Sequence, residues 1–271
     1  LDKKIGFIGC GKMAQAIIGG ILKSKLIPAG QIIATAKTED RLMDVKNRLD
    51  IQTSFSNKEA AAEADILFLA IKPDLHGTVI NEIKDCIRPD AIIITIAAGI
   101  SLDFMEKAFG KKIKAIRSMP NTPSLVGEGM SVLAANTSVS AEELDEVVQI
   151  FSSIGRAAVM DEKMMDAIPA ISGSSPAYVY MFIEALADGG VKAGLPRDQS
   201  YQLAAQAVLG AAKMVLETGK HPGELKDQVC TPGGATIEAV AELENKGFRS
   251  AVLSAMEKCS VKTNLLSKNK I

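Results

Sequence analysis

Lys4-Ile5-Gly6-Phe7-Ile8-Gly9-Cys10-Gly11-Lys12-Met13-Ala14 is the stretch that decides the fold, together with the Ala16-Ile17-Ile18-Gly19-Gly20-Ile21-Leu22 that follows it. Residues 4–8 form a short apolar run that reads as a buried strand, and residues 16–22 carry a helical pattern. Between them stands Gly-x-Gly-x-x-Ala, the arrangement of a dinucleotide-binding turn. Gly9 permits the tight turn, Gly11 has no Cβ to block a pyrophosphate, and Ala14 lets the helix pack close to the strand. The free N–H groups at the helix start then face the phosphates. A merely structural glycine turn is the alternative.

Outward from this turn, strands and helices alternate. Strands are expected at Gln31–Ala36, Asp65–Ala70, Ala91–Ala97, Lys114–Ser118, Met130–Ala135 and Arg156–Met160. Helices are expected at Glu39–Leu49, Glu59–Ala64, Leu75–Ile87, Leu102–Phe109 and Ala141–Ser153. Near-continuous Ile/Leu/Val strands separated by helices indicate a mostly parallel sheet covered on both faces. After residue 160 the strands stop. Glu162–Ile171, Pro176–Ala193, Arg197–Thr218, Ala235–Asn245 and Arg249–Lys262 all read as helices, with Ser174 or Ser175 capping the second. The run Ala204–Ala212 is small and apolar nearly all round, so it must be buried. An intertwined dimer satisfies that demand; a compact monomeric bundle is the other solution. The expected fold is α/β. A Rossmann-like, mostly parallel dinucleotide-binding domain spans 1–160, and an all-helical domain for substrate binding and dimerisation spans 161–271.

Composition narrows the partners. The chain has 271 residues, 47% of them hydrophobic, and 31 Lys+Arg balance 32 Asp+Glu. No basic stripe points to nucleic acid, and no apolar run has the length of a membrane span. Trp is absent and aromatics are 4%, which argues against a base- or sugar-stacking surface. Cys10, Cys86, Cys230 and Cys259 form no Cys-x-x-Cys pair, and His76 and His221 are the only histidines. Neither a metal site nor a disulfide framework is expected, and reduced thiols suit a cytoplasmic protein. The chain enters a strand at once, so no signal peptide is expected. Cys10 reads as inert packing, His76 as a surface residue, and His221 as a helix cap or a catalytic group.

A carboxylate near the end of the second strand usually marks a site for NAD. Here that stretch is Ala34-Thr35-Ala36-Lys37-Thr38, with no acid. Thr35 and Thr38 can hydrogen-bond, and Lys37 and Arg41 can meet a phosphate, which favours NADP over NAD. Glu39 and Asp40 count against it. The loops at Ala70–Pro73 and Ala97–Gly99 leave strand ends on the same side of the sheet. Asn57 is either an adenosine contact or a plain cap. Further on, Thr231-Pro232-Gly233-Gly234-Ala235-Thr236 precedes a helix. Two glycines at a helix start expose several N–H donors, and Thr236 adds a hydroxyl. That suits a carboxylate, though a structural loop reads the same way.

At this point the chain resembles the pyrroline-5-carboxylate reductase family. Gly6–Gly11, Ala70–Pro73, Met119–Pro123, Ser172–Tyr178, Ala187–Lys192, His221–Gly223, Thr231–Thr236 and Gly247–Arg249 match family segments in order, over nearly the whole length. The Pro-Gly-Gly-Ala-Thr helix start is the most specific. Ser175 departs from the family, which commonly has glycine there. The resemblance implies the last step of proline biosynthesis, an oxidoreductase passing a hydride from NADPH or NADH to the imine carbon of Δ1-pyrroline-5-carboxylate. It implies that Gly234, Ala235 and Thr236 hold the substrate carboxylate, with the Thr236 hydroxyl near the ring nitrogen as the catalytic contact. Glu162 would sit near the substrate amine. Ile8, Gly9, Cys10, Gly11, Lys12, Met13, Thr35, Lys37, Asn57, Ala70, Ile71, Lys72, Pro73, Ala97, Ala98 and Gly99 would contact the cofactor, and Gln228 falls on a cofactor-contacting amide. A homodimer or higher homo-oligomer is expected. A cyclic imine can take its proton from solvent before binding, so catalysis would be mostly positioning. Two rivals fit less well. Oxidation of a 3-hydroxyacid needs a proton-moving lysine, and Pro176–Val191 contains none. A non-catalytic NAD(P) sensor would have no use for the second anion site.

Overall fold

The computed structural model describes residues 1–268. The opening apolar run is strand β1 (Ile5–Ile8), buried at every position. It pairs in parallel with β2 (Ile32–Thr35) on one side and β4 (Ile66–Leu69) on the other. The polar strand β3 (Gln52–Ser54) lies beyond β2, and β5 (Ile92–Thr95), β6 (Lys114–Met119), β7 (Gly129–Ala135) and β8 (Gly155–Val159) continue beyond β4. The order is β3-β2-β1-β4-β5-β6-β7-β8, parallel except for the antiparallel pair β6–β7. The chain moves outward from β1 to β3 and then returns to β4, so β1 and β4 flank a topological switch point.

The two faces follow from strand alternation. Phe7 and Phe68 are register partners on one face, with rings stacked at 4.6 Å. They meet Ile17 and Ile18 of α1 (Lys12–Lys23) and Phe151 of α6 (Ala141–Ser152). Ile8, Leu67 and Leu69 point the other way, onto the layer of α3 (Asn57–Glu63), α4 (His76–Ile83) and α5 (Leu102–Phe109). The remaining helix of this half is α2 (Glu39–Leu49), which closes on Asp50 in the left-handed conformation.

Contacts divide the chain into Leu1–Ser174, joined by residues from Cys259 on, and Ser175–Lys258. The first unit therefore reaches beyond residue 160. Glu162–Ile171 is not the expected helix: a 3-10 turn at Glu162–Met164 is followed by a π-helical turn at Pro169–Gly173. Pro169 has no N–H to continue a ladder, and Glu162 spends its carboxylate on another element. The helix that follows starts at Ser175, and the hydroxyl of the preceding Ser174 meets the Cys259 sulfur at 3.2 Å. Strand β3 escaped the sequence reading because it is short and has no apolar alternation.

The second unit holds α7 (Ser175–Lys192), α8 (Arg197–Thr218), α9 (Pro222–Val229), α10 (Ala235–Asn245) and the first half of α11 (Phe248–Lys268). Helices α7 and α8 pack closely where Gly190 faces Ser200; a Cβ at Gly190 would lie 2.8 Å from the Ser200 hydroxyl. Burial in the single chain is sparse: Ala187, Ser200 and Ala204 are the buried residues of α7 to α10. Met181, Leu203, Leu209 and Leu216 stand more than half exposed. Beyond the buried Ala204, the apolar run to Ala212 is mostly exposed in the single chain, so the chain by itself does not give the burial expected of it. No helix of the described residues is long and apolar enough to cross a membrane.

Candidate active site

A cavity of about 730 Å³ opens beyond the carboxyl ends of β1 and β2. Its floor is the glycine turn. Gly9 has φ +89°, and a Cβ there would lie 2.6 Å from the Ala70 carbonyl oxygen, so backbone strain and a close approach both demand glycine. Gly11 differs: its φ is −76° and no atom lies within 4 Å of a Cβ built on it. The space above Gly11 is open, and no side chain caps α1. First-turn N–H groups are therefore free for an anion.

A hydrogen-bonded relay fixes one wall. Gly9 N–H donates to Thr35 Oγ1 (3.2 Å), whose hydroxyl donates to Asn57 Oδ1 (2.8 Å), while Asn57 Nδ2 donates to Glu82 (3.1 Å). Asn57 is not the cap of α3; Ser56 is. The opposite end of the cavity carries Lys37, Thr38 and Arg41 at the start of α2, which also lacks a side-chain cap. Glu39 and Asp40 share that first turn but do not line the cavity.

Of the expected cofactor residues, Ile8, Gly9, Cys10, Gly11, Thr35, Lys37, Asn57, Ile71 and Lys72 line this cavity. Lys12, Met13, Ala70, Pro73, Ala97, Ala98 and Gly99 do not. Sequence reasoning missed Phe55, Leu75, Thr78, Val79 and Glu82. Phe55 had one signal: a lone aromatic between Ser54 and Ser56, and it proves to be 64% exposed. Cys10 is buried, which pushes its thiol up to about 11 against the pull of Arg41 and Arg48. It is a neutral thiol at physiological pH, in line with inert packing.

His76 is not a surface residue: it is fully buried. Its Nδ1 donates to the Lys72 carbonyl (3.2 Å), and Nε2 lies 2.9 Å from Thr95 Oγ1, which also accepts the Ala97 N–H. The ring ties the loop after β4 to the loop after β5. A buried imidazole is stable here because named partners meet both nitrogens.

Two further groups carry polar chemistry. In the first unit, Glu162 Oε1 accepts the Leu102 N–H at 2.7 Å, at the first residue of α5. In the second unit, Gly233 (φ +67°) turns the chain into α10, and Gly234 is its cap residue without a side-chain bond. The first-turn N–H groups beside the half-exposed Thr236 are open. His221 caps α9, its Nδ1 accepting the Gly223 N–H at 3.0 Å. The Gln228 amide donates to Glu224 within that same helix.

A parallel sheet with a glycine turn at its switch point, uncapped helix starts and two cations at the far end defines an NAD(P)-binding oxidoreductase, here joined to a helical assembly region. Comparison with known proteins agrees. Residues 4–99 match the family described as NADP oxidoreductase, coenzyme F420-dependent, and 162–266 match pyrroline-5-carboxylate reductase dimerisation. A pyrroline-5-carboxylate reductase of Escherichia coli is 49% identical over 269 residues, covering 99% of this chain and 100% of that one. That of Arabidopsis thaliana is 40% identical over 98% of this chain and 96% of its own. The structure of a pyrroline-5-carboxylate reductase from Coxiella burnetii superimposes with a TM-score of 0.92 at 32% identity, covering 98% and 99% of the two chains. That of Plasmodium falciparum pyrroline carboxylate reductase, with NADP bound, has a TM-score of 0.88 at 34% identity and covers 98% of each. The chain belongs to the pyrroline-5-carboxylate reductase family.

Proposed function

We infer that this protein reduces Δ1-pyrroline-5-carboxylate to L-proline, the last step of proline biosynthesis. The observation that carries the reading is the glycine-floored cavity at the switch point, in a chain alike end to end to reductases of this substrate. Bound NAD(P)H supplies the hydride for the imine carbon. The protein's own residues bind and orient. The N–H groups at the start of α1 take the pyrophosphate, Thr35 and Asn57 take the ribose side, and Phe55 with Val79 offers apolar area to the adenine. Lys37, Arg41 and the uncapped start of α2 suit a 2′-phosphate, which supports NADP as the preferred cofactor.

For the substrate, Gly234, Ala235 and Thr236 would receive the carboxylate on the open N–H groups of α10. The Thr236 hydroxyl would orient the ring nitrogen, and Glu162 would face its positive charge. No strong general acid is required, since the protonated imine becomes a neutral amine when hydride adds. The uncovered faces of α7 and α8 support a homodimer built through residues 161–271. Balanced charge and four free cysteines suit a cytoplasmic location.

The test is oxidation of NADPH and of NADH with pyrroline-5-carboxylate, wild type beside Gly234→Val. A Cβ at Gly234 would press on the Thr231 hydroxyl and intrude on the anion site. Turnover by wild type, lost in the variant while NADPH still binds, is expected. Equal turnover by the variant would overturn the carboxylate assignment; no wild-type turnover would overturn the function.

A further inference from the structure

Arg117 lies on β6 in the middle of the sheet, with only 7% of its side chain exposed. Burying a guanidinium carries a desolvation penalty, and a well-packed apolar residue often serves stability as well. Its partners give the position another meaning. Nη2 donates to Asp166 at 2.6 Å, which fixes the plane of the guanidinium. Nη1 lies 3.7 Å from Glu162 Oε1, too long for a hydrogen bond but close for opposite charges. Oε1 is instead committed to the Leu102 N–H. Glu162 Oε2 is engaged by none of the described residues, and a third of the side chain is exposed.

The charges decide what the cluster can recognise. One guanidinium against the carboxylates of Glu162 and Asp166 leaves a net charge of −1, which favours a cation at the free oxygen. Leu102 directly follows the 97–101 loop, whose Ala97 is held through Thr95 to His76. Glu162 is thus tied through Leu102 to the loop after β5, with one oxygen spare.

We propose that Arg117 is a positioning residue of the reductase: it holds Glu162 so that Oε1 stays on α5 and Oε2 is presented to the protonated ring nitrogen of the substrate. The proposal rests on the assignment of Glu162 to that nitrogen. The iminium loses its positive charge as hydride adds. A carboxylate aimed at it therefore acts mainly on binding of the charged substrate, so KM carries the effect more than kcat.

The experiment is steady-state kinetics on wild type, Arg117→Met, Arg117→Lys, Glu162→Gln and the Arg117→Met/Glu162→Gln pair, with NADPH affinity measured without substrate. Glu162→Gln is expected to raise KM for pyrroline-5-carboxylate about tenfold, the scale of one charge-assisted hydrogen bond. Arg117→Met should raise it similarly, with kcat changed less than about threefold and NADPH affinity within about twofold. Arg117→Lys should recover part of the loss, and the double variant should be no worse than Glu162→Gln alone. Losses that multiply in the double variant would overturn the proposal, as would a fall in kcat and NADPH affinity together at unchanged KM. If Glu162→Gln matches wild type in an active enzyme, the Glu162 assignment and this proposal both fall. If Glu162→Gln loses binding while Arg117→Met does not, only the positioning role falls. Should Arg117→Met not fold, Arg117→Lys against Glu162→Gln carries the comparison, and a lysine variant indistinguishable in KM from wild type overturns it.

Discussion

Replacing Gly11 with alanine separates cofactor binding from folding, because the two glycines of the turn are constrained by different things. At Gly9 the constraint is internal: φ is +89° and the Ala70 carbonyl would be 2.6 Å from a new Cβ. A left-handed conformation costs alanine about 1–2 kcal/mol, and relieving the backbone contact adds a similar amount. Gly9→Ala should therefore lose about 3 kcal/mol and lower Tm by roughly 6–12 °C. At Gly11 nothing in the protein opposes a methyl group, and φ of −76° is ordinary. The change costs only the cap preference of glycine over alanine, about 0.5 kcal/mol, so Tm should move by no more than about 2 °C. The same methyl fills the space proposed for a phosphate oxygen. Losing one charge-assisted hydrogen bond there, about 1.5–3 kcal/mol, weakens NADPH binding by roughly 10- to 100-fold. Thermal unfolding without cofactor and calorimetric titration with NADPH read the two effects separately. A Gly11→Ala protein with unchanged Tm that binds NADPH within twofold of wild type would refute the placement of the pyrophosphate. An equal loss of Tm in both variants would refute the claim that the space above Gly11 is open.

Three other outcomes are expected. Arg41→Ala should raise KM for NADPH about tenfold and leave KM for NADH within about twofold, since only the former carries a 2′-phosphate; equal effects on both would place that phosphate elsewhere. Glu143 is pushed up by partial burial, but its hydrogen bonds with Lys114 and Ser140 outweigh this and hold it below its ordinary 4.5; the same contact holds Lys114 above 10.5. Glu143 thus contributes stability that is complete above pH 4.5 and is lost as pH falls through its folded-state value. Glu143→Gln keeps the capping box with Ser140 and should flatten the acid side of a Tm–pH curve; an unchanged acid slope would show the pair to be inert. Cys10, with its thiol pushed up to about 11, should resist iodoacetamide at pH 7.5 in the native protein and react once unfolded, as read by peptide mass mapping.

Helices with strong local punctuation were legible to the residue. Leu102–Phe109 runs between Ser101, whose hydroxyl accepts the Phe104 N–H, and Gly110 in the left-handed conformation. Arg197–Thr218 is bounded by Pro196 and Gly219, and Ala235–Asn245 by Gly234 and Lys246. Strand β1 and its turn were legible because burial, glycine chemistry and the following helix agree. The losses have a common cause in contacts between residues distant in sequence. His76 is drawn inward by Thr95, a partner 19 residues away. Glu162 leaves the expected helix to bond Leu102, 60 residues back. Arg117 and Asp166 are 49 apart, and no spacing rule announces them. Phe55 follows a polar strand that carries no pattern, and a lone aromatic between two serines was the only signal of its place in the cavity.

The two units also differ in what their own sequence can stabilise. In the first, both faces of the sheet are closed by helices of the same chain, and Phe7, Phe68, Ile17, Ile80 and Phe151 are fully buried. In the second, residues 175–258 form long helices whose large side chains stay in water: Leu203 is 60% exposed and Leu216 57%. Ordering each of these residues costs about 1–2 kcal/mol of backbone entropy, and area left exposed repays none of it. The helical unit is therefore expected to gain stability by association, and residues 162–266 match a family region described as dimerisation. Burying a charge on that face should uncouple the halves: Leu209→Glu is expected to lower the unfolding temperature of the helices in a concentration-dependent way. The glycine-floored cavity, built wholly from residues 8–82, should keep its NADPH affinity in the dissociated protein. Loss of NADPH binding in step with dissociation would show instead that the cofactor site is completed only in the assembly.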